Sequence, residues 1–346
     1  MITLITPTSS QPRFHKRALA LLDGQLEPVV FSFKRSYYNV NEFHQDVPVT
    51  ELAHMEDGKY WLRFKKLFSA VRILSRHRKL SGSKIAYAFS IDCALIAILS
   101  GFKEIIYEVG DIRSSSKVTR MLEEYIFNKS KLICVTSTAF KEYFAKLYSA
   151  DRNKIIVVDN KITTTPNREV SASDKLRIGI VGLLRYRTPL EFICRFAEET
   201  PQVKLVVYGD GPCKSLFADK QDIAFYGPFK NPDDLDKIYS SIDANYVVYD
   251  NSSENVRLAI PNKLFESMGY KVPMIVAENT YLGEQVAHYN IGNSVSISSY
   301  EAFKQDMTRF IEQHATYAES FNNIGPQDYM DDSDKVLNAK IKEVWC

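Results

Sequence analysis

Residues 261–266 read Pro-Asn-Lys-Leu-Phe-Glu and combine a helix start with two charged side chains. A proline at the first helical position has no amide to leave unpaired, and Ile260 before it has no side-chain oxygen to cap the next amides. The amides of residues 262–264 would then form an anion site, to which Lys263 adds a full charge. Glu266 lies on the same helix face, one turn deeper. This combination suits a nucleoside diphosphate and its ribose. A surface pair of Lys263 with Glu266 is the alternative.

Four predicted strands upstream end in a glycine turn or a polar loop. They cover residues 176–181, 203–208, 223–226 and 244–249, and the segments after them begin Gly182-Leu-Leu-Arg185-Tyr-Arg187, Gly209-Asp210-Gly211-Pro212, Gly227-Pro228-Phe229 and Asp250-Asn-Ser-Ser-Glu254. Each is followed by a helical pattern. In an open parallel sheet the carboxyl ends of such strands line the ligand crevice, so these turns are candidate ligand contacts.

Taken together, these turns and the helix at residues 261–269 resemble the donor half of a GT-B glycosyltransferase, in particular the family-4-like sugar transferases of bacterial surface polysaccharide assembly. The resemblance is strong over residues 176–296 and weak before them. It implies an α/β fold with two Rossmann-like domains that face each other across a cleft, and it favours a UDP-sugar as the donor and no other cofactor. The expected donor-binding residues are Gly182, Arg185, Arg187, Gly209, Asp210, Pro228, Phe229, Glu254, Asn262, Lys263 and Glu266.

The composition is that of a globular, water-soluble protein. The chain has 346 residues, enough for two domains, with 45% hydrophobic and 25% charged residues. Its five cysteines are scattered and odd in number, which excludes a zinc ribbon and favours a reducing compartment. The N-terminus lacks the basic start of a signal peptide, and no apolar run reaches the ~20 residues of a membrane span. We therefore expect a cytoplasmic protein.

Charge is distributed unevenly along the chain. Residues 1–165 contain 25 Lys and Arg against 16 Asp and Glu, whereas residues 166–346 contain 19 against 26. The polar segment 161–173 between them reads as a linker. We expect an acceptor-binding domain at 1–165 and a donor-binding domain at 166–346, with a helix at 334–345 that crosses back to the first. The basic first domain should meet an anionic partner, whether nucleic acid, lipid headgroups or a diphosphate-linked acceptor.

A basic amphipathic helix is predicted at residues 59–79, which contain eight Lys and Arg and no acidic residue. Its apolar stripe and aromatic content are typical of a membrane-surface helix. Nucleic acid is disfavoured because no recognition motif accompanies the charge. The alternative is a stripe that packs on the first domain's sheet. The expected contacts with an anionic membrane are Trp61, Phe64, Lys65, Lys66, Phe68 and Arg72.

Two acidic residues follow or end a predicted strand of the first domain. The resemblance extends to the segment 107–111, Tyr-Glu-Val-Gly-Asp, and makes Asp111 and Glu108 candidates to orient or deprotonate the acceptor hydroxyl. Alternatively, Asp111 caps the following turn. His15, near the start of the first predicted helix, is either a ligand contact or a surface residue.

No metal site is legible, because both Asp-x-Asp pairs fall in helical or tail contexts. Arg185, Arg187 and Lys263 would instead stabilise the leaving diphosphate. The family often carries a second glutamate eight positions before the ribose-binding one, and here that residue is Leu258. We expect replacement of Glu266 to weaken donor binding and leave the fold intact.

These observations predict a metal-independent glycosyltransferase on the inner face of the cytoplasmic membrane. By resemblance, it moves a sugar from a nucleotide-diphosphate sugar to a membrane-presented glycan or polyprenyl-diphosphate-linked acceptor in capsule, exopolysaccharide or O-antigen assembly. A catalytically silent nucleotide- or glycan-binding subunit is the alternative that Leu258 keeps open. A dehydrogenase is disfavoured because no glycine follows the first strand.

Overall fold

The structure is a computed structural model that describes residues 1–345 apart from 10, 36–44, 56–59, 113–115, 219, 221 and 222. The side chains of residues 12, 35, 54, 55, 60–65, 333 and 334 also lie outside the described part. The chain divides into two compact units, Met1–Asp159 with Asp332–Cys346 and Asn160–Asp331.

The first unit is built on a seven-stranded parallel sheet of order β3-β2-β1-β4-β5-β6-β7. The strand order reverses between β1 and β4. Its elements are β1 (Ile2–Thr6), α1 (Pro12–Asp23), β2 (Pro28–Arg35), β3 (Val49–Met55), α2 (Tyr60–Ser81), β4 (Ile85–Phe89), α3 (Ile91–Leu99), β5 (Glu104–Val109), α4 (Lys117–Lys129), β6 (Leu132–Val135), α5 (Thr138–Leu147) and β7 (Ile155–Val157).

The second unit has a six-stranded parallel sheet of order β10-β9-β8-β11-β12-β13, which reverses between β8 and β11. Its elements are β8 (Leu176–Leu183), α6 (Arg187–Glu199), β9 (Val203–Asp210), β10 (Ile223–Gly227), α7 (Leu235–Ser240), β11 (Ala244–Val247), α8 (Glu254–Leu258), α9 (Asn262–Tyr270), β12 (Met274–Ala277), α10 (Tyr281–His288), β13 (Gly292–Val295), α11 (Tyr300–Ser320) and α12 (Pro326–Tyr329). The predicted α/β class with two Rossmann-like domains is confirmed.

The last helix, α13 (Ser333–Trp345), packs on α1 of the first unit. Leu337 and Ile341 are buried in the same apolar cluster as Phe14 and Leu21 of α1. The Asn338 side-chain amide donates to the carbonyl of Ala20 at 2.6 Å, near the end of α1. The first unit is therefore completed by the final residues of the chain.

The boundary between the units lies six residues before the predicted one, at 159/160. Residues 160–165 belong to the second unit because the Ile162 amide donates to the Tyr329 carbonyl at 2.9 Å and Ile162 pairs with Met330.

Further along this segment, the Arg168 guanidinium donates hydrogen bonds to carbonyls at the C-terminal ends of α7 and α9. It donates to the carbonyl of Tyr239 in the last turn of α7 at 2.9 Å and to that of Ile242 after α7 at 2.8 Å. It also donates to the carbonyl of Lys271 after α9 at 2.9 Å. A cation at helix C-termini complements their dipoles and satisfies carbonyls that lack a partner in the helix.

No helix within the described ranges is both long enough and apolar enough to span a membrane.

Candidate active site

Lys263 and Glu266 form a buried ion pair at the start of α9. The Lys263 Nζ donates to Glu266 Oε2 at 2.7 Å, and the two side chains are 11% and 1% exposed. The surface pair considered from the sequence is therefore wrong. The sequence predicted Pro261 as the first helical residue, but in the structure it is the N-cap and α9 begins at Asn262. The Leu264 amide already donates to the Pro261 carbonyl at 3.1 Å, so one of the three expected anion-binding amides is in use.

The Glu266 carboxylate has further partners from other segments of the unit. The Tyr239 hydroxyl donates to Oε2 at 2.7 Å, and the Asn231 amide donates to Oε1 at 3.3 Å. Burial and then the charge of Glu266 raise the pKa of Tyr239, which keeps this hydroxyl protonated as a donor. A ribose hydroxyl could share Oε1 with Asn231, the longest of these contacts, because a carboxylate oxygen accepts two hydrogen bonds. Direct contact of Glu266 with ribose stays a prediction.

The glycine turn after β8 lies beside Lys263. Gly182 has φ +120°, and a Cβ placed there would lie 3.8 Å from Lys263 Cε. The ring centre of Phe229 is 5.7 Å from the Lys263 ammonium. These contacts bring the carboxyl end of β8 and the start of α9 together beside the reversal of strand order, where ligands of open α/β sheets bind.

Gly209 and Asp210 serve the packing of the turns themselves. Gly182 and Gly209 are paired residues at the ends of β8 and β9. A Cβ at Gly209 would lie 1.8 Å from the Gly182 carbonyl oxygen, so only glycine lets these strand ends approach so closely. Asp210 Oδ1 accepts from the Gly211 amide at 2.8 Å and lies 3.1 Å from Lys214 Nζ. These two contacts, the amide first, lower the pKa of Asp210. Contact of either residue with a donor stays a prediction.

The two arginines of the β8 turn differ in their surroundings. The guanidinium carbon of Arg185 lies 4.6 Å from the ring centre of Tyr186, which in turn packs at 5.3 Å on Tyr249, after β11. Burial, followed by Tyr186 and the Glu266 charge, raises the pKa of Tyr249. Arg187 Nε instead donates to Glu191 at 2.7 Å in an exposed pair along α6.

Three other expected donor residues occupy element ends in the second unit. Pro228 follows β10, Glu254 is the first residue of α8, and Asn262 is the first residue of α9. Their contact with a donor stays a prediction. Leu258, in place of the family's second glutamate, ends α8.

In the first unit, Glu108 is a buried member of an ion pair and not an open carboxylate at the sheet edge. It is 1% exposed, and its Oε2 accepts from Arg17 Nε at 3.1 Å and from the Tyr87 hydroxyl at 2.5 Å. Asp111 follows β5, is exposed, and lines the same cavity as Glu108. His15 Nε2 lies 2.6 Å from the Ser9 carbonyl oxygen, within the segment that joins β1 to α1.

Residues 162–328, nearly the whole second unit, match the model of the family described as "Glycosyl transferases group 1". The chain is a glycosyltransferase. It also shares the GT-B fold of solved structures that it resembles along its whole length. Sucrose-phosphate synthase from Thermosynechococcus elongatus is 13% identical with a TM-score of 0.78, and the match covers 100% of this chain and 98% of that one.

Two further glycosyltransferase structures agree with this fold. HepE of Anabaena, in complex with UDP and glucose, is 14% identical with a TM-score of 0.72 over 99% of this chain and 98% of that one. WaaG, a glycosyltransferase involved in lipopolysaccharide biosynthesis, is 11% identical with a TM-score of 0.72 over 99% of each. A search of curated protein sequences finds no match.

Sequence reasoning missed the residues that surround the predicted carboxylates. Tyr239 and Asn231 reach Glu266 from segments more than 25 residues away, and Arg17 reaches Glu108 from 91 residues away. With 20 tyrosines in the chain, nothing in the local sequence distinguishes Tyr239. The charged sequence at residues 13–17 was the one signal for Arg17.

Proposed function

We propose that this glycosyltransferase transfers a sugar from a UDP-sugar to a lipid-linked or glycan acceptor presented at the membrane. The observation that carries the proposal is the convergence of Lys263 and the start of α9 with Gly182, which leaves the end of β8 without a side chain at the carboxyl edge of the second sheet. The complex of HepE with UDP and glucose supports a UDP-linked donor for this fold. The acceptor would be a growing capsule, exopolysaccharide or O-antigen unit, for which the role of WaaG in lipopolysaccharide biosynthesis is an analogy.

In the proposed reaction, the bond between the sugar's anomeric carbon and the diphosphate oxygen breaks, and a bond to the acceptor oxygen forms. The acceptor's proton passes to a carboxylate, for which Asp111 is the candidate because it is exposed whereas Glu108 is buried in its ion pair with Arg17. The UDP leaves with one additional unit of negative charge to be stabilised. Lys263 and Arg185 are the cations proposed for this role, without a metal ion.

Lys263 would gain a second partner during this step. In the ligand-free protein its ammonium is bound to Glu266, which keeps a nearly buried cation paired. A bound diphosphate would share that ammonium, and Glu266 would keep the ammonium in place through their existing ion pair. The role of Glu266 is then as much to position Lys263 as to bind ribose.

A catalytically silent subunit is the second candidate, favoured by Leu258 in place of the family's second glutamate. Transfer from a radiolabelled UDP-sugar panel to a membrane lipid extract separates the two candidates. Product formation that survives EDTA supports the metal-independent enzyme. UDP binding without product from any donor supports the silent subunit.

Membrane attachment is proposed through α2 and α4, both of which contact α3. On α2, Phe68 is 66% exposed and the Arg72 guanidinium lies 5.3 Å from its ring centre, whereas Leu74 is buried, so only part of the predicted stripe is free to meet lipid. Lys66 is half-buried, and the side chains of Trp61, Phe64 and Lys65 lie outside the described part.

Helix α4 adds an apolar stripe that the sequence analysis did not single out. The exposed residues Val118, Met121, Leu122 and Tyr125 follow the spacing of one helix face. Lys117, Arg120 and Lys129 are also on this helix, and the Lys129 ammonium lies 5.8 Å from the ring centre of Tyr125. Basic residues beside an apolar stripe suit an anionic leaflet, with each cation contributing about 1 kcal/mol.

Flotation with liposomes of graded anionic content tests this attachment. We expect Val118→Glu and Lys65→Glu/Lys66→Glu/Arg72→Glu to float less than wild type, while Val170→Glu, the same exchange at an exposed valine of the second unit, floats normally. High salt should release the wild type because exposed charges are screened over about 8 Å at physiological ionic strength. Equal flotation of all variants would reject this part of the proposal.

A further inference from the structure

A small cavity lies at the carboxyl edge of the first unit's sheet. It has a volume of about 90 Å³ and is lined by the segment after β1, by Ser90 after β4 and by the end of β5. These strands flank the point where the strand order of the sheet reverses, between β1 and β4. Ligands of open α/β sheets bind at such points, and neither the donor site nor the family match reaches this one.

Three buried polar atoms of the cavity lining lack a partner. Arg13 Nε, Ser90 Oγ and Glu108 Oε1 make no hydrogen bond within the described part of the chain. Each unsatisfied buried group costs about 1–3 kcal/mol, and native proteins leave few of them. The three comprise a donor, a hydroxyl and an acceptor. A ligand that meets all three needs both donors and acceptors, which a sugar ring offers.

The guanidinium of Arg13 is held against a glycine. A Cβ at Gly110 would lie 1.6 Å from Arg13 Nη1, so any larger residue there would move Arg13. Its guanidinium carbon also lies 5.2 Å from the ring centre of Phe14. Ser90 is fixed as well, at φ +93°, a backbone conformation that non-glycine residues adopt mainly at functional sites.

The charges of the lining disfavour an anion. Arg13 is the one cation among the described lining residues, whereas Glu108, Asp111 and Glu123 are three carboxylates. Arg17 offsets Glu108, which leaves two acidic groups against Arg13. The start of α1 adds a partial positive charge of about one half, which does not reverse this balance. A carboxylate or phosphate on the ligand would therefore be repelled.

We infer that this cavity binds the acceptor, that it takes an uncharged sugar ring, and that it rejects acidic sugars. A ring hydroxyl donates to Glu108 Oε1, and a neighbouring ring oxygen accepts from Arg13. The inference rests on the proposed function, which requires an acceptor but does not specify its charge. Arg13 and Glu108 thereby select the acceptor, and Gly110 positions Arg13.

Binding of p-nitrophenyl glycosides to the full chain tests the inference without turnover. We expect saturation-transfer NMR to detect binding of at least one of the neutral glucoside, galactoside and N-acetylglucosaminide. The matching uronide should bind more weakly by a factor of about ten or more. Arg13→Gln and Gly110→Ala should each weaken the neutral ligand about tenfold. Arg152→Gln, which removes an exposed arginine of the same unit, is the matched control and should change nothing.

The affinity for UDP distinguishes a failure of this inference from a failure of the proposed function. A chain that binds UDP but binds glucoside and glucuronide equally, or prefers the uronide, overturns this inference and leaves the proposed function standing. A chain that binds UDP but none of the glycosides also overturns it. Loss of UDP binding in the wild type would instead overturn the proposed donor site, whatever the glycosides do.

Discussion

The ion pair of Lys263 with Glu266 makes the sharpest prediction. Its atoms are 2.7 Å apart, and the Glu266 side chain is 1% exposed. Glu266→Ala leaves the ammonium without its partner in a nearly buried position, a change that typically costs about 3–5 kcal/mol. In a unit of 172 residues, Asn160–Asp331, this corresponds to a loss of about 6–20 °C in Tm. The expectation from sequence that this variant leaves the fold intact is therefore replaced by a measurable destabilisation.

A double-mutant cycle isolates the pair itself. Glu266→Gln, Lys263→Gln and the double variant keep the side-chain size, and we expect the double variant to be more stable than the sum of the single effects by about 1–3 kcal/mol in urea unfolding. Lys220 and Glu198 provide the control, because they are also 2.7 Å apart but exposed, and their coupling should be below about 1 kcal/mol. Equal coupling in the two cycles would refute the argument from burial.

The same variants test the role of Lys263 in donor binding. Loss of a charge-assisted hydrogen bond to phosphate costs about 1.5–3 kcal/mol, which is a tenfold to hundredfold weaker UDP affinity by calorimetry. Lys220→Gln should bind UDP as the wild type does. Unchanged UDP affinity in Lys263→Gln would remove this lysine from the donor site.

Four further predictions concern separate parts of the molecule. Arg185→Ala should lower kcat by about tenfold or more with a smaller effect on donor KM, whereas Arg187→Ala, already paired on the surface of α6, should stay within about twofold in steady-state kinetics. Arg168→Ala should lower the unfolding free energy by about 2–3 kcal/mol in urea, because it leaves helix-end carbonyls unpaired. Ser90→Gly should raise Tm while it weakens glycoside binding, since glycine relieves the strained φ and removes Oγ. Burial lowers the pKa of His77 below its ordinary 6.5, so the stability that neutral His77 contributes is present above pH 6.5 and is lost as the pH falls. Between about pH 7.5 and 5.5 the wild type should therefore lose more unfolding free energy than His77→Gln.

The sequence predicted most of both sheets because buried parallel strands are short apolar runs. Besides the four strands before residue 261, it predicts strands at residues 2–5, 28–33, 84–89, 105–108, 132–135, 155–158 and 273–276. The two strands it missed, β3 (Val49–Met55) and β13 (Gly292–Val295), are both at sheet edges. Edge strands are covered on fewer sides and tolerate polar residues, so β3 contains Thr, Glu and His and β13 reads Gly-Asn-Ser-Val. Their apolar signal is correspondingly weak.

The site was predictable where it is local and not where it depends on distant segments. The spacing of Lys263 and Glu266 brought them to one helix face, as α9 shows. Their burial depends on Tyr239, Asn231 and Phe229, which the fold brings in from other elements. The end of α9 illustrates the same limit: the sequence predicted it at Gly269, but α9 ends at Tyr270. Gly269 leaves room for Ile162, which a Cβ would meet at 2.7 Å, so this glycine serves packing and does not end the helix.

The position of α13 on α1 has a consequence for synthesis of the chain. Because the first unit needs residues 332–346, the second unit is in effect an insertion, and a nascent chain emerges with its continuous unit complete before its discontinuous one. The apolar surface that Leu337 and Ile341 cover stays open until residues 332–346 have left the ribosome. A chain truncated after Asp331, or one in which the Asn338 contact is displaced, would therefore expose the first unit's core while the donor-binding unit folds normally.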